Sequence, residues 1–259
     1  MIAPLFLSHG SPMLYLTDTP AHRFLAALGR EMAAPRAIVV ASAHWETPAP
    51  MVGAAPRPGT IHDFGGFPDA LHRARYPAPG DPGVAGEVAE ALAAAGIAAA
   101  IDPGRGLDHG IWVPLAIALP GAEVPIVPLA VQPGRDARHH LALGRALAPL
   151  ARSGVLVVGS GAVTHNLFAT RGQAVDAAPP AWVDGFRDWI AAAAAAGDVE
   201  RLCDWHEAAP AATVNHPTPE HFLPFFVALG AAGEGASGRR IHASVEYGVI
   251  GMDAYAFAA

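Results

Sequence analysis

Three short apolar runs that each lead into a histidine constrain the fold of this chain more than any other feature. They are residues 2–7 before His9, residues 37–43 before His44 and residues 155–158 before His165. Continuous apolar runs, without polar and apolar alternation, are typical of strands that are covered on both faces. Helical patterns lie between them. We therefore expect an α/β fold, a single domain over residues 1–259 with a mostly parallel or mixed sheet and helices on both faces.

Further strands and helices follow from length, periodicity and capping signals. The strands are residues 124–131 and 241–246, and the helices are residues 21–33, 81–96, 136–152, 180–196, 199–208 and 219–231. Asp81 followed by Pro82 is a typical helix start, and Gly96 is a typical stop. Ligands of such folds bind outside the carboxyl ends of the strands, so His9, His44 and His165 are expected at that edge.

Composition excludes several classes of partner and site. The formal charge is −7 with 16 basic residues and no basic run, so we expect neither nucleic acid nor a membrane as partner. No apolar stretch approaches the roughly 20 residues of a membrane helix, and the N-terminal segment has no basic region of a signal peptide, which predicts a cytoplasmic protein. Cys203 is the only cysteine, so a metal would need histidines and carboxylates.

Histidine is over-represented, with 13 in the chain, and several stand beside Gly, Ser or Pro. Neutral imidazole is a common ligand of transition metals, and strand ends hold such ligands rigidly. A single histidine after a strand is more simply a hydrogen-bonded turn residue. Because the arrangement recurs, His9 and His44 are our first candidates for metal ligands.

A second group of candidates lies in the segment Asn215-His216-Pro217-Thr218-Pro219-Glu220-His221. His221 is a candidate third ligand, and His216 is expected to line the site from the loop. Glu220 is either a ligand or a residue that stabilises the N-terminus of the following helix, as acidic side chains there commonly do.

Two loops offer candidates for catalysis and substrate binding. His109, between Asp108 and Gly110, suits a proton donor or a substrate-orienting group, or else a turn held by Asp108. His62 and Phe64 suit a wall over an aromatic substrate, or else an ordinary packed loop. The other histidines lie in expected helices or in the last strand, where surface or hydrogen-bonded positions are expected; they are His22, His72, His139, His140, His206 and His242.

Taken in order, these motifs resemble those of one enzyme family from about residue 5 to residue 230. The motifs are Leu7-Ser8-His9-Gly10-Ser11-Pro12-Met13, Ser42-Ala43-His44-Trp45, His62-Asp63-Phe64-Gly65-Gly66-Phe67-Pro68, Tyr76-Pro77-Ala78-Pro79-Gly80, Leu107-Asp108-His109-Gly110, His165-Asn166-Leu167 and His216-Pro217-Thr218-Pro219-Glu220-His221-Phe222. The series resembles extradiol ring-cleavage dioxygenases of the 4,5-DOPA dioxygenase type, which are related to the LigB class.

The resemblance implies non-haem Fe(II), with Zn(II) also associated with the same pocket. It implies a catechol-type substrate that is cleaved with O₂ to a muconic semialdehyde. His9, His44 and His221 match the metal ligands, and His109 matches an acid/base position. His165 matches either a fourth ligand or the base beside the metal, and the choice between Glu220 and His221 as third ligand stays open.

Two other functions remain compatible with the sequence. One is a zinc-dependent hydrolase on the same scaffold, and the other is a non-catalytic binding module of the superfamily. Arg57, Arg105 and Arg171 are each candidates to meet a substrate carboxylate. The identity of the catechol, the bond cleaved and the assembly state, monomer or homo-oligomer, are left open.

Overall fold

The fold was obtained as a computed structural model that describes residues 3–259. Residues 1 and 2, with the start of the first predicted strand, lie outside the described residues. The strands are β1 (Leu5–Ser8), β2 (Ala37–Glu46), β3 (Met51–Gly53), β4 (Ala100–Asp102), β5 (Ile126–Val131), β6 (Val155–Gly161), β7 (Ser237–His242), β8 (Val245–Glu246), β9 (Ile250–Gly251) and β10 (Ala254–Ala258). The helices are α1 (Pro20–Glu31), α2 (Asp69–Arg73), α3 (Pro82–Ala94), α4 (His109–Ala118), α5 (Ala137–Arg152), α6 (Ala181–Ala195), α7 (Val199–Cys203), α8 (Trp205–Ala208), α9 (Ala212–Asn215) and α10 (Leu223–Ala231).

The main sheet is mixed, as predicted, and has the strand order β4-β3-β5-β2-β6-β1-β10-β7. Its centre, β5-β2-β6-β1, is parallel, and β10 adds to β1 in the antiparallel direction. Every residue of β1, β5 and β6 is buried, because helices cover both faces. The predicted α/β class with a mixed sheet is confirmed.

Register aligns the carboxyl ends of the central strands. Ser160 of β6 pairs with Leu7 of β1 on one side and with Ser42 of β2 on the other. The residues that follow these positions therefore emerge side by side. This alignment is what brings His9 and His44 to one edge of the sheet.

Several predicted boundaries differ from the structure. His44 lies within β2, which continues to Glu46, whereas we expected it just past the strand. Residues 109–118 form α4, which the sequence did not indicate, because it contains Pro114 and is buried all round, so it shows no amphipathic period. The predicted strand 241–246 is divided between β7 and β8, and the predicted helix 199–208 is divided between α7 and α8.

Among residues 3–259 no helix combines the length and apolar character that crossing a bilayer requires.

The packing of α5 against α10 depends on a glycine at the point of contact. A Cβ added at Gly144 would lie 2.1 Å from the carbonyl oxygen of Val227. We expect Gly144→Ala to lower the free energy of unfolding by about 1–3 kcal/mol, because the two helices would have to separate. Urea denaturation measures this change.

The matched control is Gly86→Ala in α3, where an added Cβ has no neighbouring atom within 4 Å. Alanine is the better helix former, so this variant should gain about 0.5–1 kcal/mol. Equal free energies of unfolding for the two variants would contradict the close approach of α5 and α10.

Candidate active site

Three imidazole nitrogens converge at the carboxyl edge of the sheet. His44 Nε2 lies 3.0 Å from His9 Nε2 and 3.3 Å from His221 Nε2. His9 follows β1, His44 belongs to β2, and His221 lies in the turn before α10. Two nitrogens bound to one metal ion at about 2.0–2.1 Å stand about 3 Å apart, so this spacing suits a shared ion.

The charge state of these histidines also suits metal binding. Burial, and after it the neighbouring histidines, lowers the pKa of His44 to about 3 and holds the pKa values of His9 and His221 well below their usual value. The three rings are therefore neutral at pH 7. Neutral imidazoles that direct their lone pairs at one point repel one another unless a cation occupies it, so the donor set fits a divalent transition metal.

Each of the three rings has a partner at its other nitrogen. Ser160 Oγ donates to the carbonyl oxygen of Gly110 and lies 3.0 Å from His9 Nδ1, so it accepts the proton of that nitrogen. Glu220 Oε1 accepts from His221 Nδ1 at 2.8 Å. Partners of this kind set the tautomer and the orientation of a ligating ring. They leave Nε2 of His9 and Nε2 of His221 free to donate a lone pair to a metal ion.

His44 shares its carboxylate partner with His109. Asp63 Oδ2 lies 3.5 Å from His44 Nδ1, and Asp63 Oδ1 lies 2.9 Å from His109 Nδ1. The backbone N–H of His109 also donates to Oδ1, at 3.0 Å. Burial would raise the pKa of Asp63, but the hydrogen bonds and charge of His109 hold it at about 2. Asp63 is therefore ionised at neutral pH and orients two histidines at once.

Asp108 does not stabilise a turn at His109, which was one of the two alternatives for this segment. Its side chain caps no backbone N–H of α4. Instead Ser42 Oγ donates to Asp108 Oδ1 at 2.6 Å and Arg105 donates to Oδ2 at 2.7 Å. This buried network ties the start of α4, which carries His109, to the strand that carries His44.

His165 lies beside the three converging nitrogens. It follows β6, and its ring stacks on the ring of His221 with the centroids 3.4 Å apart and the planes within 10°. Burial, and then the charge of His109, lowers the pKa of His165 to about 4. A neutral imidazole is thus held beside the centre, where it can accept a proton.

A cavity of about 760 Å³ opens above these groups. His44, His109, His165 and His221 line its floor. Its apolar wall comprises Phe64, Phe67, Leu167, Phe168, Tyr247 and Ile250. The volume of this cavity and its lining residues are typical of a site that binds a small aromatic ligand and orients it with a few polar groups.

Two of the histidines expected to contact substrate lie outside this cavity. His62 Nε2 lies 3.0 Å from the carbonyl oxygen of Ala74, and its ring packs behind Phe64, which itself lines the wall. His216 is 2% exposed, and its Nε2 donates to the carbonyl oxygen of Val163 at 2.7 Å.

The prediction that His216 lines the site is wrong. Its ring packs in a buried aromatic cluster with Phe186, Trp205 and Phe222. The next residues, Pro217 and Thr218, face the cavity in its place. The loop is thus anchored by His216 and contributes other side chains to the site.

The three candidate arginines are also absent from the cavity lining. Arg105 is held by Asp108 and lies over the ring of Trp45, 4.8 Å from its centroid. Arg171 is exposed and lies over the ring of Phe168, 5.7 Å from its centroid. None of Arg57, Arg105 and Arg171 is placed to meet a carboxylate inside the cavity.

Some residues of the site had received no role from the sequence. Ser160 stands in a buried apolar strand, and a polar side chain there needs a partner, so its position was a usable signal. Tyr247 lines the cavity with φ of 53°, and its backbone N–H donates to the carbonyl oxygen of Val175. Only the folded chain shows that its turn reaches the site.

The comparisons with known proteins agree with this geometry. The family described as "Catalytic LigB subunit of aromatic ring-opening dioxygenase" matches residues 4–258. The chain is 41% identical to a Beta vulgaris protein named "4,5-DOPA dioxygenase extradiol" over 97% of this chain and 95% of the relative. It is 42% identical to an Escherichia coli K12 protein of the same name, over 88% of this chain and 84% of the relative.

The fold is shared with a solved structure as well. The crystal structure of an uncharacterised Escherichia coli K12 protein, JW3007, matches with a TM-score of 0.81 and 32% identity, covering 100% of both chains. Family match, relatives and fold extend over essentially the same residues. The chain therefore belongs to the LigB family of aromatic ring-opening dioxygenases, whose class of reaction is extradiol ring cleavage.

Proposed function

We propose that this protein opens the ring of a catechol-type substrate, DOPA-like or related, with O₂ and gives a muconic semialdehyde. The observation that carries the proposal is the convergence of His9, His44 and His221 through Nε2 atoms 3.0 and 3.3 Å apart beneath an aromatic cavity. The names of the relatives, "4,5-DOPA dioxygenase extradiol", support a DOPA-like catechol.

His9, His44 and His221 would hold the metal, and Fe(II) is the ion that we expect in the active enzyme. When bound there, it supplies positive charge that favours the ionised catechol and a redox centre for O₂. Three neutral imidazoles leave the full charge of a divalent ion in place, which suits an anionic substrate. Zn(II) fits the same donor set but supplies no redox chemistry.

Two further histidines would accept and donate the protons of the catechol hydroxyls. His165 is neutral and lines the cavity beside His221, so it is placed to accept the proton of a catechol hydroxyl. The negative charge of Asp63, 2.9 Å from His109 Nδ1, favours the proton on Nδ1 and leaves Nε2 unprotonated for the ligand. Through Nε2, His109 would thus orient the second catechol hydroxyl, accept its proton and return that proton to the opened product.

The cavity wall would orient the ring and exclude water. Phe64 and Phe67 pack against each other edge to face, with centroids 5.3 Å apart, on one side of the cavity. His62 packs behind Phe64 and supports it, so it acts on the substrate only through that ring. Aromatic walls of this kind favour a flat ring over an aliphatic ligand.

Glu220 is expected to support a ligand, not to act as one. It accepts from His221 Nδ1 on the side of the ring opposite to Nε2. Glu220→Ala should therefore weaken metal affinity by about 10- to 100-fold, the usual cost of losing such a partner, and keep a stoichiometry of one. Titration with Zn(II) against a competing chelator measures both. Complete loss of binding would make Glu220 a ligand.

The function is tested by oxygen consumption. Protein loaded with Fe(II) under anaerobic conditions is mixed with aerated catechol, protocatechuate, L-DOPA or caffeate, and the yellow ring-opened product is followed by absorbance. We expect O₂ uptake in proportion to product, and none from metal-free protein. Substrate turnover without O₂ would support the zinc hydrolase, and inertness of metal-loaded protein toward all four catechols would support a binding module.

A further inference from the structure

The cavity has an acidic side chain whose charge is not used by the site described above. Its acidic lining residues within positions 3–259 are Glu46, Asp63 and Glu220. Asp63 is engaged with His109, and Glu220 is engaged with His221. Glu46 has no side-chain hydrogen bond or ion pair in the part of the chain that the structure describes. Its carboxylate is available to a ligand.

The position of Glu46 suits contact with a side chain of the substrate. Glu46 is the last residue of β2 and stands two residues beyond His44. Glu46 and His44 both line the cavity, although the register of β2 against β5 shifts between Ser42 and Glu46. Glu46 is exposed and His44 is half-buried, so the carboxylate lies toward the mouth. A substituent that extends from a ring bound at His44 toward the mouth would therefore pass Glu46.

No arginine among the described residues offsets this charge within the cavity. Arg105 is bound to Asp108 at 2.7 Å. Arg171 is not among the lining residues, and its guanidinium lies over the ring of Phe168, 5.7 Å from the centroid. A carboxylate on the substrate would therefore meet Glu46 without a matching cation in the lining.

We propose that Glu46 selects catechols whose side chain ends in a cationic amine over those whose side chain ends in a carboxylate. An ammonium group would donate a charge-assisted hydrogen bond to Glu46, whereas a carboxylate would meet a like charge. This inference rests on the proposed function, because it takes the catechol ring to be bound above His9, His44 and His221.

The kinetic test compares dopamine with 3-(3,4-dihydroxyphenyl)propionate, which share the catechol ring and a two-carbon spacer. The native enzyme should have the higher kcat/KM for dopamine. Glu46→Gln should lower the ratio of the two kcat/KM values by about fivefold, which is the effect expected for a partly exposed charge-assisted contact. Glu90→Gln, at an exposed position of α3, is the matched control and should keep the native ratio. A native preference for the carboxylate, or an unchanged ratio in Glu46→Gln, would overturn the proposal.

A binding test decides the same question without turnover. Phenethylamine and 3-phenylpropionate are titrated into zinc-loaded protein by calorimetry. We expect phenethylamine to bind more tightly, and Glu46→Gln to remove that difference. If the Fe(II) enzyme cleaves none of catechol, protocatechuate, L-DOPA and caffeate, the proposed function fails, and calorimetry still decides the role of Glu46. If Arg171→Gln shifts the preference and Glu46→Gln does not, Arg171 is the determinant and the proposal is wrong.

Discussion

His44→Ala should abolish stoichiometric metal binding and ring cleavage together. His44 Nε2 is the nitrogen that lies within 3.0 Å of His9 Nε2 and 3.3 Å of His221 Nε2, so its loss leaves two donors. The expected loss of metal affinity exceeds the roughly 10- to 100-fold that follows removal of an outer partner. Metal content after dialysis, by elemental analysis, and O₂ uptake with L-DOPA are the measurements.

His44 is the best of the three positions for this test because it is half-buried, whereas His9 and His221 are buried and packed. Circular dichroism should show an unchanged fold. His206→Ala is the control, since this histidine is about half exposed on α8, away from the cavity lining. A His44→Ala protein that keeps one metal ion and full turnover would remove His44 from the ligand set.

His165→Ala should keep the metal and lose turnover. Its ring stacks on the face of His221 and lines the cavity, which suits a proton acceptor for the substrate. Loss of a general base costs about 10²- to 10⁴-fold in kcat. Single-turnover product formation and metal analysis of the same sample separate the two effects.

Chemical rescue distinguishes a base from a packing role at this position. His165→Ala leaves space for a free imidazole beside His221, so added imidazole should restore part of kcat in a concentration-dependent way. A variant that has lost its metal would make His165 a fourth ligand. A variant with native kcat would remove it from the proton transfer.

Much of the fold could be predicted because its signals are local. The apolar strands with their following histidines, and the Asp81-Pro82 start of α3, depend on residues that are neighbours in the chain. In the structure Asp81 Oδ1 accepts from the backbone N–H groups of Gly83 and Val84 at 2.9 and 3.0 Å. The helix α4 was missed because a helix that is apolar on every side has no period to detect.

The candidate site was predicted less evenly, because side-chain direction is not a local property. His216 and His221 belong to the same loop, yet the ring of His216 packs with Phe186 and Trp205, whereas His221 Nε2 lies 3.3 Å from His44 Nε2. Likewise, Phe64 forms part of the cavity wall, whereas His62 packs against Phe64 from outside the cavity. In each case the packing of distant segments decides which ring reaches the cavity.

Residue type and order along the chain are enough to predict the α/β class, the histidines at strand ends and a metal site without cysteine. The orientation and surroundings of the site residues depend on contacts that form only in the folded chain. Ser160 and Glu220 contact the Nδ1 atoms of His9 and His221, and Asp63 lies next to both His44 and His109. Apart from the Glu220–His221 pair, these partners are far apart in the chain, and such contacts set the orientation and charge state of the rings.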